Sequence, residues 1–325
     1  MEFFFKYGNI IVSSFLKGDV ILKYIWKKSL FIFAVMMLAL LVACGDGDSE
    51  DEGESNESNI GEDVDHTIIG IEPGAGISVA TENALEEYDE LSDWDVELSS
   101  TAAMMSELEN AINQEEPIVI TGWNPHWMFA KYPDMHYLDD PKGVYGETET
   151  INSLAREGLE EDKPEAYKFI EQFNWDVEDM EEIMKEANET GEEVEDIAKQ
   201  WVEDNEDKVN EWIEGVDDVD GEKFELVSTP WDSERASSGV IQEVMEQKGF
   251  DVKVTPVDVA VVFESLANGD VDATVAAWLP DTHKEFYEQY KDDFTDLGPN
   301  LEGAKIGIVV PDYMDIDSIE DLESK

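Results

Sequence analysis

Trp123 and Trp278 each stand two residues ahead of a proline, in Trp123-Asn124-Pro125 and Trp278-Leu279-Pro280, and each closes an apolar run. Proline lacks the N–H that a ladder needs and ends a strand, so both indoles fall at strand ends, where a ring can point into a cleft. The face of such a ring is negative and attracts a cation. Gly74-Ala75-Gly76 leads into a helical pattern. A glycine turn at a helix start gathers free amides and the positive end of the helix dipole, a seat for an anion. His283 follows Pro280-Asp281-Thr282 at an expected helix start and can donate one more hydrogen bond.

Reaction chemistry finds fewer parts. The chain has no Gly-x-Ser-x-Gly, no His-Glu-x-x-His and no free thiol with a histidine partner. His283 near Asp281 could serve as acid or base, yet no nucleophile is identifiable. Gly74-x-Gly76 is followed by neither a P-loop lysine nor a longer glycine fingerprint. The acidic turn at Val216 to Gly221 fails as a calcium loop, since placing Gly221 sixth makes Val216 and Val227 the first and twelfth ligands. No metal or cofactor is expected. Trp94, Trp175, Trp201 and Trp212 sit in helical patterns or beside turns and read as packing, as do His126 and Trp127; His66 and His136 read as structural or exposed.

The elements that must position these residues repeat. Thr67 to Ile71 reads as a strand, Ile77 to Tyr88 as a helix, Asp95 to Leu98 as a strand, Ala102 to Ile112 as a helix and Pro117 to Thr121 as a strand. The same order returns with strand Phe224 to Ser228, helix Ala236 to Lys248, strand Val252 to Pro256, helix Val261 to Ala267 and strand Ala273 to Ala277. Between the two sets, residues 151 to 216 read as short acidic amphipathic helices with Val177, Met180, Ile183 and Met184 on one face and Val194, Ile197, Ala198 and Trp201 on another. A last strand, Lys305 to Pro311, is expected to return to the first half after Gly298-Pro299-Asn300. Repeated α/β units build parallel sheets with ligands at the carboxyl ends of the strands. Two lobes facing one cleft are therefore expected: residues 66–150 in lobe 1, 151–299 in lobe 2, and 300–325 returning to lobe 1.

The 325 residues carry 80 acidic and 21 basic side chains, a formal charge of −59, which excludes nucleic acid as a partner. With 42% hydrophobic residues the chain can still bury a core. Its one cysteine excludes a disulfide scaffold. Lys27 and Lys28 precede the apolar stretch Leu30 to Ala43, fourteen residues that end in Leu41-Val42-Ala43-Cys44. That is too short to cross a bilayer core of roughly 30 Å and has the make-up of a secretory signal, residues 1–43. Its end resembles the bacterial lipobox, which implies lipidation of Cys44 after cleavage and anchoring to the outer face of the cell membrane. Residues 44–65 are acid, Gly, Ser and Asn, an expected disordered tether. Residues 1 to 43 hold five basic and two acidic side chains, so the remainder carries 16 basic against 78 acidic, a charge of −62. An exported surface this acidic suits a saline or alkaline medium.

Four segments carry a closer likeness: Gly70-Ile71-Glu72-Pro73-Gly74-Ala75-Gly76-Ile77, Ile120-Thr121-Gly122-Trp123-Asn124-Pro125-His126-Trp127-Met128-Phe129, Trp231-Asp232-Ser233-Glu234 and Ala277-Trp278-Leu279-Pro280-Asp281-Thr282-His283. They resemble the glycine betaine-binding lipoproteins of bacterial osmoprotectant ABC transporters. The resemblance implies an α/β, two-lobed periplasmic-binding-protein fold of type II, each lobe a mainly parallel sheet flanked by helices with the ligand cleft between. It implies a monomer that hands solute to a membrane permease driven by a separate ATPase. It further implies that Trp123, Trp231 and Trp278 cage a trimethylammonium group, and that His283 and the amides of Gly76 and Ile77 hold the carboxylate. The chemistry agrees, because a quaternary ammonium has no N–H to share and only a ring face can attract it. Each such contact contributes about 0.5 to 2 kcal/mol, against about 8 kcal/mol for a micromolar site. Proline betaine keeps both charged features; choline, carnitine and ectoine are the alternative ligands, and a ligand-sensing partner of a receptor is the alternative role.

Overall fold

A computed structural model of the protein describes residues 60–323. The signal segment, Cys44 and the tether as far as residue 59 lie outside the described residues. The last part of the expected tether does not behave as one. Ile60–Asp63 is a turn of helix, and Ile60 and Val64 pack on the core. Those two apolar side chains end the solvated composition six residues earlier than the acid count suggests.

The described residues build one nine-stranded sheet from β1 (Thr67–Gly70), β2 (Asp95–Leu98), β3 (Ile120–Asn124), β4 (Met135–Tyr137), β5 (Glu149–Arg156), β6 (Lys223–Ser228), β7 (Asp251–Pro256), β8 (Ala273–Leu279) and β9 (Phe294–Pro311). The order is β2-β1-β3-β9-β5-β8-β6-β7, with β4 on β9. At one end β1 runs parallel to β2 and β3; at the other β6 runs parallel to β7 and β8. Each triplet is wound the same way, with its first strand in the middle, as two crossover units require. Helices Gly76–Glu87 and Thr101–Gln114 make the crossovers of the first triplet, and Asp232–Gln247 and Val259–Ala267 those of the second.

The strands that join the triplets are antiparallel. β9 pairs with β5 over residues 294–304, then with β3 and β4 over 305–311, so one continuous strand serves both halves. β5 lies between β8 and β9 and is buried along most of its length. Both strands exceed the expectation. The stretch at Glu149–Arg156 falls where short helices were expected, and β9 begins eleven residues before Lys305, running through Gly298-Pro299-Asn300. It does so through register shifts on either side of the Asn152–Pro299 and Ser153–Gly298 pairs, which absorb the proline that a regular ladder would not admit. The acidic helices Val177–Thr190 and Val194–Asp204 bury the faces read from their periodicity, Met180, Ile183 and Met184 on the first and Val194, Ile197, Ala198 and Trp201 on the second.

Candidate ligand-binding site

Four strands bring their carboxyl ends to one place, two from each triplet, the two pairs running in opposite directions. β1 leads to the Gly74-Ala75-Gly76 turn, β3 carries Trp123 one residue before its end, β6 leads to Trp231, and β8 carries Trp278 one residue before its end. These are carboxyl ends of parallel strands, where open α/β sheets place their ligands. Both Trp-x-Pro segments carry a cis peptide bond before the proline. The ends meet around a cavity lined by Ile71, Ala75, Gly76, Ile77, Trp123, Trp231, Trp278, Thr282, His283 and Ile306. All six residues singled out in the sequence as ligand contacts are therefore brought together, from both triplets. Ile71, Ala75, Thr282 and Ile306 complete the wall; the first two sit inside the glycine-turn segment and Thr282 precedes the histidine, so only Ile306, from the returning strand, had no local signal.

The three indoles are held differently. Trp278 is buried and donates Nε1–H to Glu234 Oε1 at 2.9 Å, while the Ser233 hydroxyl donates to Glu234 Oε2 at 2.6 Å. Burial pushes the Glu234 carboxyl up, against the bonds from Ser233 and Trp278 that pull it down. Trp231 is half-buried, forms the N-cap of helix Asp232–Gln247, and donates Nε1–H to Glu72 Oε2 at 3.1 Å. Glu72 also accepts the Thr101 amide at 3.0 Å and its hydroxyl at 2.9 Å. Burial raises the Glu72 carboxyl, but these donors outweigh it and hold it below the usual range. Trp123 lies edge-on to His126, with ring centroids 4.5 Å apart, and His126 stacks on Trp127 at 5.1 Å. Trp127 in turn donates Nε1–H to Asp232 Oδ2 at 3.0 Å. His126 and Trp127 therefore stand behind the cavity wall, as packing.

The other end of the cavity offers donors. His283 is buried, and its Nδ1 accepts the Trp278 amide at 3.1 Å. A ring nitrogen that accepts carries no proton, so the neutral imidazole keeps its proton on Nε2, ready to donate. Burial holds the His283 pKa down to about 3, so the ring is neutral at ordinary pH. Helix Gly76–Glu87 starts at the cavity, and its N-cap, Ala75, has no side chain to occupy the first amides. Gly76 has a further reason to lack a side chain. A Cβ there would stand 2.4 Å from Thr282 Cγ2 and 2.5 Å from the Thr282 carbonyl oxygen. Thr282 is fixed in turn by the buried Glu149, which accepts the amides of Asp281 at 2.6 Å and Thr282 at 2.7 Å as well as the Thr282 hydroxyl. The arrangement is one apolar, aromatic end suited to a cation without hydrogen-bonding protons and one end of uncharged donors suited to a carboxylate.

Fold and cavity define a class: a two-lobed α/β solute-binding protein that holds a small molecule between two sets of strand ends. The comparisons with known proteins narrow it. Residues 50–204 and 223–325 match the family described as "Substrate binding domain of ABC-type glycine betaine transport system". The chain belongs to that family, whose members are extracytoplasmic solute-binding components of ABC importers and not enzymes. It is 46% identical over 301 residues, 91% of this chain and 99% of the relative, to the glycine betaine/carnitine transport binding protein GbuC of Listeria monocytogenes serotype 1/2a (strain 10403S). Among solved structures, it is similar to lactococcal OpuAC in its closed-liganded conformation with glycine betaine, at 49% identity and TM-score 0.44 over 46% of this chain and 57% of that chain. A choline-binding protein in complex with choline matches at 25% identity and TM-score 0.42 over 48% and 55%. Both structural matches span less than two thirds of the solved chains. Among the described residues no helix is long and apolar enough to cross a membrane.

Proposed function

We propose that the cavity captures glycine betaine, and with it proline betaine, for import as an osmoprotectant. Trp123, Trp231 and Trp278 surround the trimethylammonium group with ring faces, and the carboxylate takes hydrogen bonds from His283 Nε2–H and from the amides of Gly76 and Ile77. The observation that supports this most strongly is the meeting of three indoles, a neutral buried histidine and an uncapped helix start around one cavity. Among its described lining residues there is no carboxylate, which favours a zwitterion over choline, whose hydroxyl offers His283 and the two amides one neutral oxygen where a carboxylate offers two charged ones. Carnitine, which appears in the name of the Listeria relative, has both charged groups and is the second candidate.

The remaining parts of the reading fit an importer. Cys44 is the lipidation site, residues 44–59 the start of a tether to the membrane, and the monomer hands its solute to a permease and ATPase. Lobe 1 comprises residues 66–150 with 300–325, and lobe 2 residues 151–299. Calorimetry with glycine betaine, proline betaine, carnitine, choline and ectoine tests the ligand: micromolar binding of the first two and much weaker choline binding are expected. A preference for choline, or heat from none of the five, would overturn the reading. Mass spectrometry of the protein from membranes tests the anchor, with a diacylglyceryl Cys44 as the expected N-terminal residue.

A further inference from the structure

Two of the three cavity indoles donate their ring N–H to a carboxylate that is itself outside the cavity wall: Trp231 to Glu72 and Trp278 to Glu234. A buried indole needs only some acceptor, and elsewhere this protein is content with less. Trp94 uses the carbonyl oxygen of Glu323, and the buried Nε1 atoms of Trp175 and Trp201 have no partner. Among the described residues Trp127, behind the cavity wall, is the one further indole that gives its N–H to a carboxylate, that of Asp232. The choice of an ionisable acceptor at the cavity is therefore not a requirement of packing. The carboxylates also come from opposite triplets. Glu72 follows β1 and Glu234 lies in the first turn of the helix after β6.

We infer that Glu72 and Glu234 are specificity-determining residues, which fix the planes of two cage indoles through their ring N–H groups and place negative charge behind those rings, so that the cavity favours a permanent cation over a neutral group of the same shape. The inference rests on the reading above, that the cavity takes a trimethylammonium zwitterion. Its physics has two parts. An N–H given to an anion polarises the ring and deepens the negative face that a cation meets. The charge itself also acts across the thickness of the ring, where the indole and not water fills the space between carboxylate and cavity. Glu72, with three donors holding it ionised, carries more of the effect than Glu234, whose burial opposes ionisation.

The test compares two ligands of one shape. In tert-butylacetate a carbon replaces the nitrogen of glycine betaine, so the carboxylate and the three methyl groups remain and the positive charge is gone. Calorimetry on the whole mature protein would be run for wild type, Glu72→Gln, Glu72→Asp and Glu234→Gln, the glutamines keeping a side-chain oxygen for the indole N–H. Glu72→Gln is expected to weaken glycine betaine about tenfold while changing tert-butylacetate less than about twofold. Glu234→Gln shifts the same ratio in the same direction by less, and Glu72→Asp restores part of it. Equal weakening of both ligands, or no change in either, would overturn the inference and leave the residues as supports for the rings. Circular dichroism confirms folding, and Glu72, half-buried, decides the matter if Glu234→Gln does not fold. Wild-type binding of betaine tests the underlying reading separately from the ratio.

Discussion

An indole can contribute a face to a cavity and an N–H to the structure behind it, and the two roles can be separated by mutation. Trp278→Ala removes a wall of the cavity and also the donor to the fully buried Glu234. Glycine betaine binding is expected to weaken at least tenfold, and the unfolding midpoint to drop as well, since an unsatisfied buried acceptor costs about 1 to 3 kcal/mol beyond the lost packing. Trp231→Ala, at a half-buried position, should lose comparable affinity with a smaller loss of midpoint; calorimetry and thermal denaturation of both variants check this. The histidines act at the same scale through protons. Burial holds both His126 and His283 down to about 3, against about 6.5 in an unfolded chain. Between those values the unfolded chain binds protons that the folded chain refuses, so each histidine lowers stability as pH falls, by up to about 1.4 kcal/mol per pH unit. Glu149 and Glu234, raised by burial, act in the opposite sense as they take up protons in the fold, so the difference between two proteins is more telling than one curve. His126 is the N-cap of helix Trp127–Lys131, a position asparagine also fills well. His126→Asn is expected to lose less stability than wild type between pH 7 and pH 5 in urea titrations; identical losses would mean that His126 takes up its proton in the folded protein.

At the scale of elements, the start of helix Gly76–Glu87 must approach the loop after β8 with nothing between them. Gly76→Ala would drive a methyl group against Thr282, including its carbonyl oxygen, which no rotamer change can move. Because that contact joins the two triplets, the variant should fold with a ligand-free melting midpoint close to wild type yet lose at least tenfold in betaine affinity. Small-angle scattering should show a smaller contraction on adding betaine than the wild type gives. A variant that binds and contracts like wild type would show that the loop yields. Elements of this kind were largely legible beforehand. The two βαβαβ runs carry their own periodicity, and β2 falls where the sequence places it. The start of helix Asp232–Gln247 was read four residues late, although Asp232 and Glu234 are the acids that suit a helix N-terminus. β5 could not be read at all, because it is sandwiched between two neighbours and shows no alternation. Its polar residues are satisfied from far away: Asn152 donates to Asp296, and Ser153 accepts from Asn300. The same distance hid Glu72 and Glu234. Both lie in segments that were singled out, but their roles depend on indoles or hydroxyls that only the fold brings to them.

For the whole molecule the dominant quantity is a formal charge of −59. Basic residues are too few to neutralise it locally, and those present are heavily used. The chain's two arginines each meet several carboxylates, Arg156 with Asp162 and Asp272, Arg235 with Glu193, Glu195 and Asp232. Two consequences of added salt then compete. Exposed ion pairs weaken, but each contributes only about 0 to 1 kcal/mol, and the pairs of Arg156 and Lys163 with the buried Asp272 are shielded from solvent ions. Repulsion among the surplus carboxylates acts over longer distances and is screened more completely, as the Debye length falls from about 10 Å at 0.1 M to about 3 Å at 1 M salt. Repulsion is therefore the larger loss, and the folded state gains. The thermal midpoint is expected to rise with sodium chloride, most steeply at the low end of that range where the screening length changes most. A partner osmolyte series with sucrose, which stabilises by exclusion from the surface and carries no charge, should instead give a gradual rise without that early steepness. A midpoint that stays flat or falls with sodium chloride would show that the ion pairs outweigh the repulsion, and would remove the physical ground for assigning this surface to a saline habitat.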